Sequence, residues 1–113
     1  MSTVRDLNQH LQRGVRLWNQ GRYWHCHEAW EKAWLQLRGR ERAYLQGCIQ
    51  AAAVHVLIAK NRHQAAVRVA ARALELLGSR MPAATSALRL PRIPGIRKAL
   101  RTFIHEAEAS LES

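Results

Sequence analysis

The chain has few of the residues that would point to a membrane or a secreted setting. It contains two cysteines, three prolines and one phenylalanine among its 113 residues. No apolar run approaches the roughly 18 residues that a membrane-spanning helix needs. The N-terminal residues show no basic start, apolar stretch and small-residue cleavage site of a signal peptide. We therefore expect a cytoplasmic protein without a membrane partner.

The two cysteines, Cys26 and Cys48, stand alone within helical patterns and form no C-x-x-C pair. Isolated thiols fit a reduced compartment better than a disulfide scaffold or a zinc site built from paired cysteines. A disulfide between them requires their helices to touch at that level of the fold. We expect free thiols instead.

Period-two alternation, which marks half-buried strands, is missing over any useful length, while apolar residues recur at helical spacing. The sequence predicts an all-α protein: a compact five-helix bundle of two antiparallel helical hairpins plus a C-terminal helix. A single domain spanning residues 1–113 is expected, with a proline-containing linker at about 79–95. The first predicted helix runs from an N-cap at Ser2 or Thr3, with Asp6 in its first turn, to a stop at Gly21. The others cover about 22–38, 41–60, 62–77 and 95–111, and the predicted stops of the second, third and fourth helices are Gly39, Asn61 and Gly78.

The third predicted helix, at about 41–60, is apolar nearly all round. A helix without a polar face is buried on most sides, so this helix is predicted to be the central element. Gly47 lies in its interior, where glycine costs about 1 kcal/mol relative to alanine. That cost is explained if another helix crosses closely at Gly47.

Residues 27–55 contain a cluster of ionisable and amide side chains within otherwise apolar helical runs. Burying a carboxylate or an imidazole is costly unless the group is paired. Helical projection places His27 and Glu31 together on a tryptophan-rich face that we expect to be buried, and it places Ala29 on the opposite face, in solvent. The favoured interpretation is a buried His/Glu/Gln network that holds the helices in register. The candidate residues of this cluster are His27, Glu28, Glu31, Trp34, Gln46, Gly47, Gln50 and His55.

A ligand or metal site is the alternative interpretation of the same cluster. Consecutive helical residues point about 100° apart, so the His-Cys-His run at 25–27 cannot share one ion. His27 and Glu31 do have the i, i+4 spacing of a chelating pair, and His55 or Gln50 could add a third ligand. A metal-assisted, hydrolase-like site on His27, Glu31 and His55 is therefore kept as an alternative. The sequence favours no metal and no cofactor.

Charge is the second informative feature, because the formal net charge is +10. Eleven Lys or Arg residues and one acid, Glu75, lie between Arg42 and Arg101, so this stretch holds the whole excess. A basic surface can bind phosphates with an affinity that falls steeply with salt. No helix-turn-helix, zinc-finger or RNA-binding aromatic motif accompanies it. The candidate phosphate-contacting residues are Arg62, Arg68, Arg72, Arg97, Lys98 and Arg101.

The order and spacing of the motif residues resemble the domain-of-unknown-function 309 family, whose members are small all-helical proteins. The resemblance covers about residues 15–78. It implies a compact helical bundle and carries no established activity or residue roles. The segments that carry it are His27-Glu28-x-x-Glu31-x-x-Trp34, Gln46-Gly47-x-x-Gln50-x-Ala52, His55, Asn61 and Ala65.

Three functions of different classes fit these observations. They are a non-enzymatic binding or interaction module, the metal-assisted hydrolase, and a non-specific nucleic-acid-associated accessory protein that uses the basic half. The sequence has no nucleophile–base pair, phosphate loop or cofactor fingerprint, so the binding module is favoured over an enzyme. Its partner is unknown from the sequence, weak nucleic-acid binding is compatible with the charge, and both a monomer and a homodimer are compatible with the pattern.

Overall fold

The computed structural model describes residues 3–83 and 87–112, and within them it contains five α-helices. The all-α prediction of two antiparallel hairpins followed by a C-terminal helix is confirmed. Within the described ranges, no helix has the length and apolar character needed to cross a membrane. The helices are α1 (Val4–Asn19), α2 (Tyr23–Trp34), α3 (Gly39–Ala59), α4 (His63–Leu77) and α5 (Ile96–Glu112).

Helix α1 begins at a capping box, as predicted from Thr3 and Asp6. The Thr3 hydroxyl accepts a hydrogen bond from the Asp6 backbone N–H at 3.1 Å, and the Asp6 carboxylate accepts one from the Thr3 N–H at 3.3 Å. The reciprocal bonds satisfy two donors that the first helical turn would otherwise leave unpaired. The alternative start at Ser2 lies outside the described residues.

The α1/α2 and α3/α4 hairpins close with the same turn. In each, an arginine donates its backbone N–H to a carbonyl five residues earlier, and the residue before that arginine is left-handed. The φ angle is 73° at Gly21 and 59° at Asn61, where both stops were predicted. This is the Schellman arrangement, which satisfies carbonyls at a helix end. The bonds run from Arg22 to Leu17 and from Arg62 to Leu57, at 2.9 Å each.

Helix α2 ends at Trp34, earlier than the predicted end near residue 38. The Gln36 and Leu37 N–H groups donate to Ala33 and Trp34 at 3.0 and 3.1 Å, which are i to i−3 bonds. These tighter bonds end the α-helix and still deliver Leu37 to the core. Gly39, with a φ of 63°, therefore begins α3 instead of ending α2.

Helix α3 packs against both α2 and α4, which confirms its predicted central position. Its bounds are 39–59, close to the predicted 41–60. The predicted close crossing at Gly47 is also present, and α4 is the crossing helix. A Cβ atom on Gly47 would lie 2.9 Å from the backbone nitrogen of Leu77 and 2.8 Å from its Cγ. Only glycine lets the two helices approach this closely.

Cys26 on α2 and Cys48 on α3 are buried free thiols. Burial raises the pKa of each thiol to about 12. A buried thiol with a raised pKa forms little thiolate near neutral pH, which lowers its reactivity. Both serve to pack α2 against α3.

The segment between α4 and α5 is held on the bundle by hydrogen bonds to two helices. The Tyr44 hydroxyl on α3 donates to the Pro91 carbonyl at 2.7 Å. The Asn8 side chain on α1 donates to the Ala87 carbonyl and accepts from the Arg89 N–H, both at 2.8 Å. These contacts bring the chain back across the bundle so that α5 can pack on α4.

Candidate functional site

The acidic residues of the α2 motif lie on the surface of the bundle. The Glu31 side chain is 53% exposed, and that of His27, whose Nδ1 lies 3.7 Å from Glu31 Oε1, is 23% exposed. Glu28 pairs outside with His25 at 3.4 Å. Among the described residues no polar or charged side chain is fully buried. The predicted burial of Glu31, and with it the buried His/Glu/Gln network, is therefore wrong.

The packing of Trp30 explains why α2 is rotated about its axis relative to the prediction, with Glu31 toward solvent. Its indole is completely buried, and its Nε1 donates to the Leu11 carbonyl on α1 at 3.0 Å. The ring lies against Gly14, where any Cβ atom would collide with the indole. Seating Trp30 in this way turns Ala29, predicted to face solvent, into the core. Gly14 was missed from the sequence, although a glycine in a helix interior was the available signal.

Trp34 and the two motif glutamines lie at half-buried positions instead of forming a core network. The Arg42 guanidinium sits 3.9 Å from the centre of the Trp34 ring, a cation–π contact between α2 and α3. The Trp34 Nε1 is buried without a hydrogen-bond partner. Gln46 and Gln50 are half-buried on α3. Trp34 therefore fixes the α2–α3 connection mainly through its ring.

His55 lies among aromatic rings contributed by the other hairpin. The Tyr23 ring stacks on its imidazole with centroids 4.0 Å apart at 10°, and the Trp18 ring meets it edge-on at 5.2 Å and 88°. Burial lowers the pKa of His55 below its ordinary value of 6.5. Burial therefore favours the neutral imidazole, which offers one hydrogen-bond donor and one acceptor.

The three rings form one wall of a cleft of about 380 Å³. The segment from Ile93 to Phe103, which includes the start of α5, forms the facing wall. Pockets of this size are typical of small-ligand sites, which combine apolar walls with a few polar groups. Among the described residues that line it there is no carboxylate, lysine, thiol or serine hydroxyl. The remaining lining residues are Val54, Ile58, Ile93, Pro94, Gly95, Ile96, Ala99, Leu100 and Phe103.

The residues proposed for a metal site are divided between two environments. His27 pairs with Glu31 on the outer side of α2, whereas His55 is enclosed by Tyr23 and Trp18. The described parts of the chain contain no group of three His, Cys, Asp or Glu side chains placed to hold one metal ion.

Two of the predicted phosphate-contacting arginines are engaged within the protein. Arg97 donates to the Gly78 carbonyl at 2.7 Å and to the Leu77 carbonyl at 3.2 Å, which caps the end of α4. Arg72 pairs with Glu75 at 3.1 Å. The side chains of Arg62, Arg68, Lys98 and Arg101 are exposed on the surface.

The comparisons with known proteins agree with the resemblance found in the sequence. A family model described as a domain of unknown function, DUF309, matches residues 11–69. No curated protein and no solved structure matches the chain. The matched span includes Trp18, Tyr23 and His55, whereas the facing wall of the cleft lies beyond it.

Proposed function

The chain belongs to the DUF309 family, and from that premise we propose that it is a non-enzymatic binding module. Its site is the cleft beside His55. The observation that carries the proposal is the stack of the Tyr23 ring on the His55 imidazole at the wall of an open apolar cleft. Ring faces bordering a cavity supply large contact area at little cost in side-chain entropy.

The chemistry of the walls specifies the class of ligand. Flat aromatic surfaces favour a planar, largely apolar molecule that can stack or slide between them. The neutral imidazole of His55 supplies a hydrogen-bond donor and acceptor without a charge. The proposed ligand is therefore a small, uncharged aromatic compound with one hydrogen-bonding group, because an ionic group would have no counter-charge in the cleft.

The same composition supports binding over catalysis. A histidine acts as a general base on a nucleophile when a hydroxyl, thiol or oriented water lies within reach and a third group orients the ring. Tyr23 and Trp18 contact the His55 imidazole with a ring face and a ring edge, and Glu31 on α2 pairs with His27 outside the cleft. The proposal therefore assigns His55 to ligand recognition.

The experiment uses N-phenyl-1-naphthylamine, a neutral aromatic probe whose fluorescence rises in apolar surroundings. Ala99 is exposed at the cleft, so Ala99→Phe should fill the cleft without disturbing the core. Ala71 is exposed on α4, which makes Ala71→Phe the matched control. We expect saturable one-to-one binding by wild type and by Ala71→Phe, and a loss of affinity of about tenfold or more for Ala99→Phe.

Equal probe affinity in Ala99→Phe and Ala71→Phe would contradict the proposal, as would the absence of saturable binding to wild type. A second variant, Tyr23→Ala, removes the ring stacked on His55 and should also weaken binding. Melting curves recorded alongside the titrations separate loss of the site from loss of the fold.

A further inference from the structure

The apolar stripe of α5 continues beyond the surface that covers it. Ile96 and Leu100, in its first turns, are buried against the bundle. Phe103 and Ala107, further along, are half-buried. Leu111, in the last turn, is 74% exposed. An amphipathic helix normally buries its whole stripe, so the end of α5 presents an apolar surface without cover.

This surface borders a groove of about 580 Å³ between the start of α4 and the end of α5. Its apolar part is formed by Val67 on α4 and by Phe103, Ala107 and Leu111 on α5. A groove with an apolar floor between two helices is the shape that accepts another helix. It is separate from the His55 cleft, although Phe103 contributes to both.

The rims of the groove carry opposite charges. The α4 rim contains Arg68, and the α5 rim contains Glu106 and Glu108. Acids near a helix C-terminus are disfavoured by the helix dipole, so α5 gains nothing in its own stability from them. In a chain of net charge +10, this surface carries one cation and two anions and so differs from the basic remainder of the chain. If a second copy is placed on this surface by a two-fold rotation, the cationic rim of each copy faces the anionic rim of the other.

We propose that this groove is the interface of a homodimer, with a second copy of the chain as its occupant. A two-fold axis through the groove lays α5 of each copy over α4 of the other. Leu111 is then buried, and Arg68 of each copy faces the acidic rim of the other copy. A two-fold interface must be self-complementary in this way, because each contact is made twice.

The first experiment compares two leucines of nearly equal exposure by sedimentation equilibrium. Leu35 is 70% exposed and Leu111 is 74% exposed, but only Leu111 lines the groove. We expect wild type and Leu35→Lys to dimerise with the same affinity, and Leu111→Lys to dimerise about tenfold or more weakly. A wild type that stays monomeric at high micromolar concentration, or equal behaviour of the two variants, would overturn the proposal.

The second experiment tests the charged rims. Arg68→Glu should prevent self-association, because each new glutamate faces the acids of the other copy, and Glu106→Arg/Glu108→Arg should prevent it for the opposite reason. A mixture of the two proteins should form a heterodimer, since both of its rim contacts then join opposite charges. Mixing leaves repulsion within each copy unchanged, so recovered association can come only from contacts between copies. A mixture that stays monomeric would refute the arrangement.

Discussion

The two hairpins share a turn and a glycine at the helix crossing, yet they are packed in different ways. In α3/α4, Gly47 meets the backbone of Leu77, and the buried face of α4 contains the alanines 66, 70 and 73. In α1/α2, the atoms nearest to a Cβ on Gly14 all belong to the side chain of Trp30. Small residues bring the helices of the second hairpin into backbone contact, whereas the first hairpin is spaced by a large ring.

The comparison indicates which helix packing can adjust when one side chain is changed. A backbone contact cannot be relieved by a rotamer change, so the α3/α4 hairpin acts as the fixed scaffold. A ring contact can be changed by altering one side chain. Two aromatic residues of the first hairpin, Trp18 and Tyr23, also line the cleft beside His55. The adjustable hairpin therefore supplies the two rings that contact His55 in the proposed recognition surface.

The largest effect is expected for Gly47→Ala. Its Cβ atom would lie 2.9 Å from the Leu77 backbone nitrogen, so α3 and α4 would have to separate. Overpacking of this kind costs about 1–3 kcal/mol, and we expect a value near the upper end of that range. Urea denaturation of wild type and variant measures it. An increase in stability, as for Gly→Ala in an unobstructed helix, would mean that the two helices are not held together here.

A smaller effect is expected for Gly14→Ala, about 1–2 kcal/mol, because it displaces the Trp30 indole and weakens its bond to the Leu11 carbonyl. Urea denaturation measures this effect as well.

A second substitution, at the residue that obstructs the new Cβ atom, tests the contrast between the two hairpins. Trp30→Phe should reduce the cost of Gly14→Ala, since the obstacle is a side chain. Leu77→Ala should relieve little of the cost of Gly47→Ala, since the Leu77 nitrogen remains. If the second substitution reduced the cost in stability of the glycine substitution equally in both hairpins, the two helix crossings would not differ in this way.

His55 lies at the contact between the two hairpins, and titration of its imidazole tests how that contact contributes to stability. Its pKa is lowered in the folded protein, so the unfolded chain binds more protons between that value and 6.5. Stability from the neutral imidazole is therefore fully present above about pH 6.5 and decreases as the pH falls below it. His55→Phe keeps a planar ring but does not titrate. Thermal melts between about pH 7 and pH 5 should show a steeper loss for wild type than for His55→Phe, and parallel losses would contradict this.

The smallest effect is expected for Glu31→Ala on the outer face of α2. A buried Glu31 would cost about 1–3 kcal/mol to remove, because its partners would be left unsatisfied. The observed side chain is 53% exposed and pairs with His27 at 3.7 Å. Exposed pairs of this kind contribute about 0.5 kcal/mol or less. A loss near the larger figure in urea denaturation would show that Glu31 is structural after all.

The sequence predicted the helices well and the site only in part. Gly21, Asn61 and Gly78 were identified as helix stops from their residue type, and all three have positive φ. Gly47 was identified as a crossing point from the cost of glycine in a helix. The face of α2 was misjudged because projection of a single helix cannot weigh α1 against α3. The cleft was missed because its walls are contributed by residues from Trp18 to Phe103.

By itself, the sequence determined what depends on neighbours along the chain: five helices, the N-cap of α1 and the turns that close the hairpins. Helical periodicity, a capping hydroxyl and a left-handed residue act over one or two turns, so they can be read locally. Only the tertiary structure decided which side of α2 is buried, because the Trp30 ring packs against Gly14, where any side chain would collide with it. It likewise decided that His55 lies in an aromatic cleft while Glu31 faces solvent, since packing between helices sets these environments.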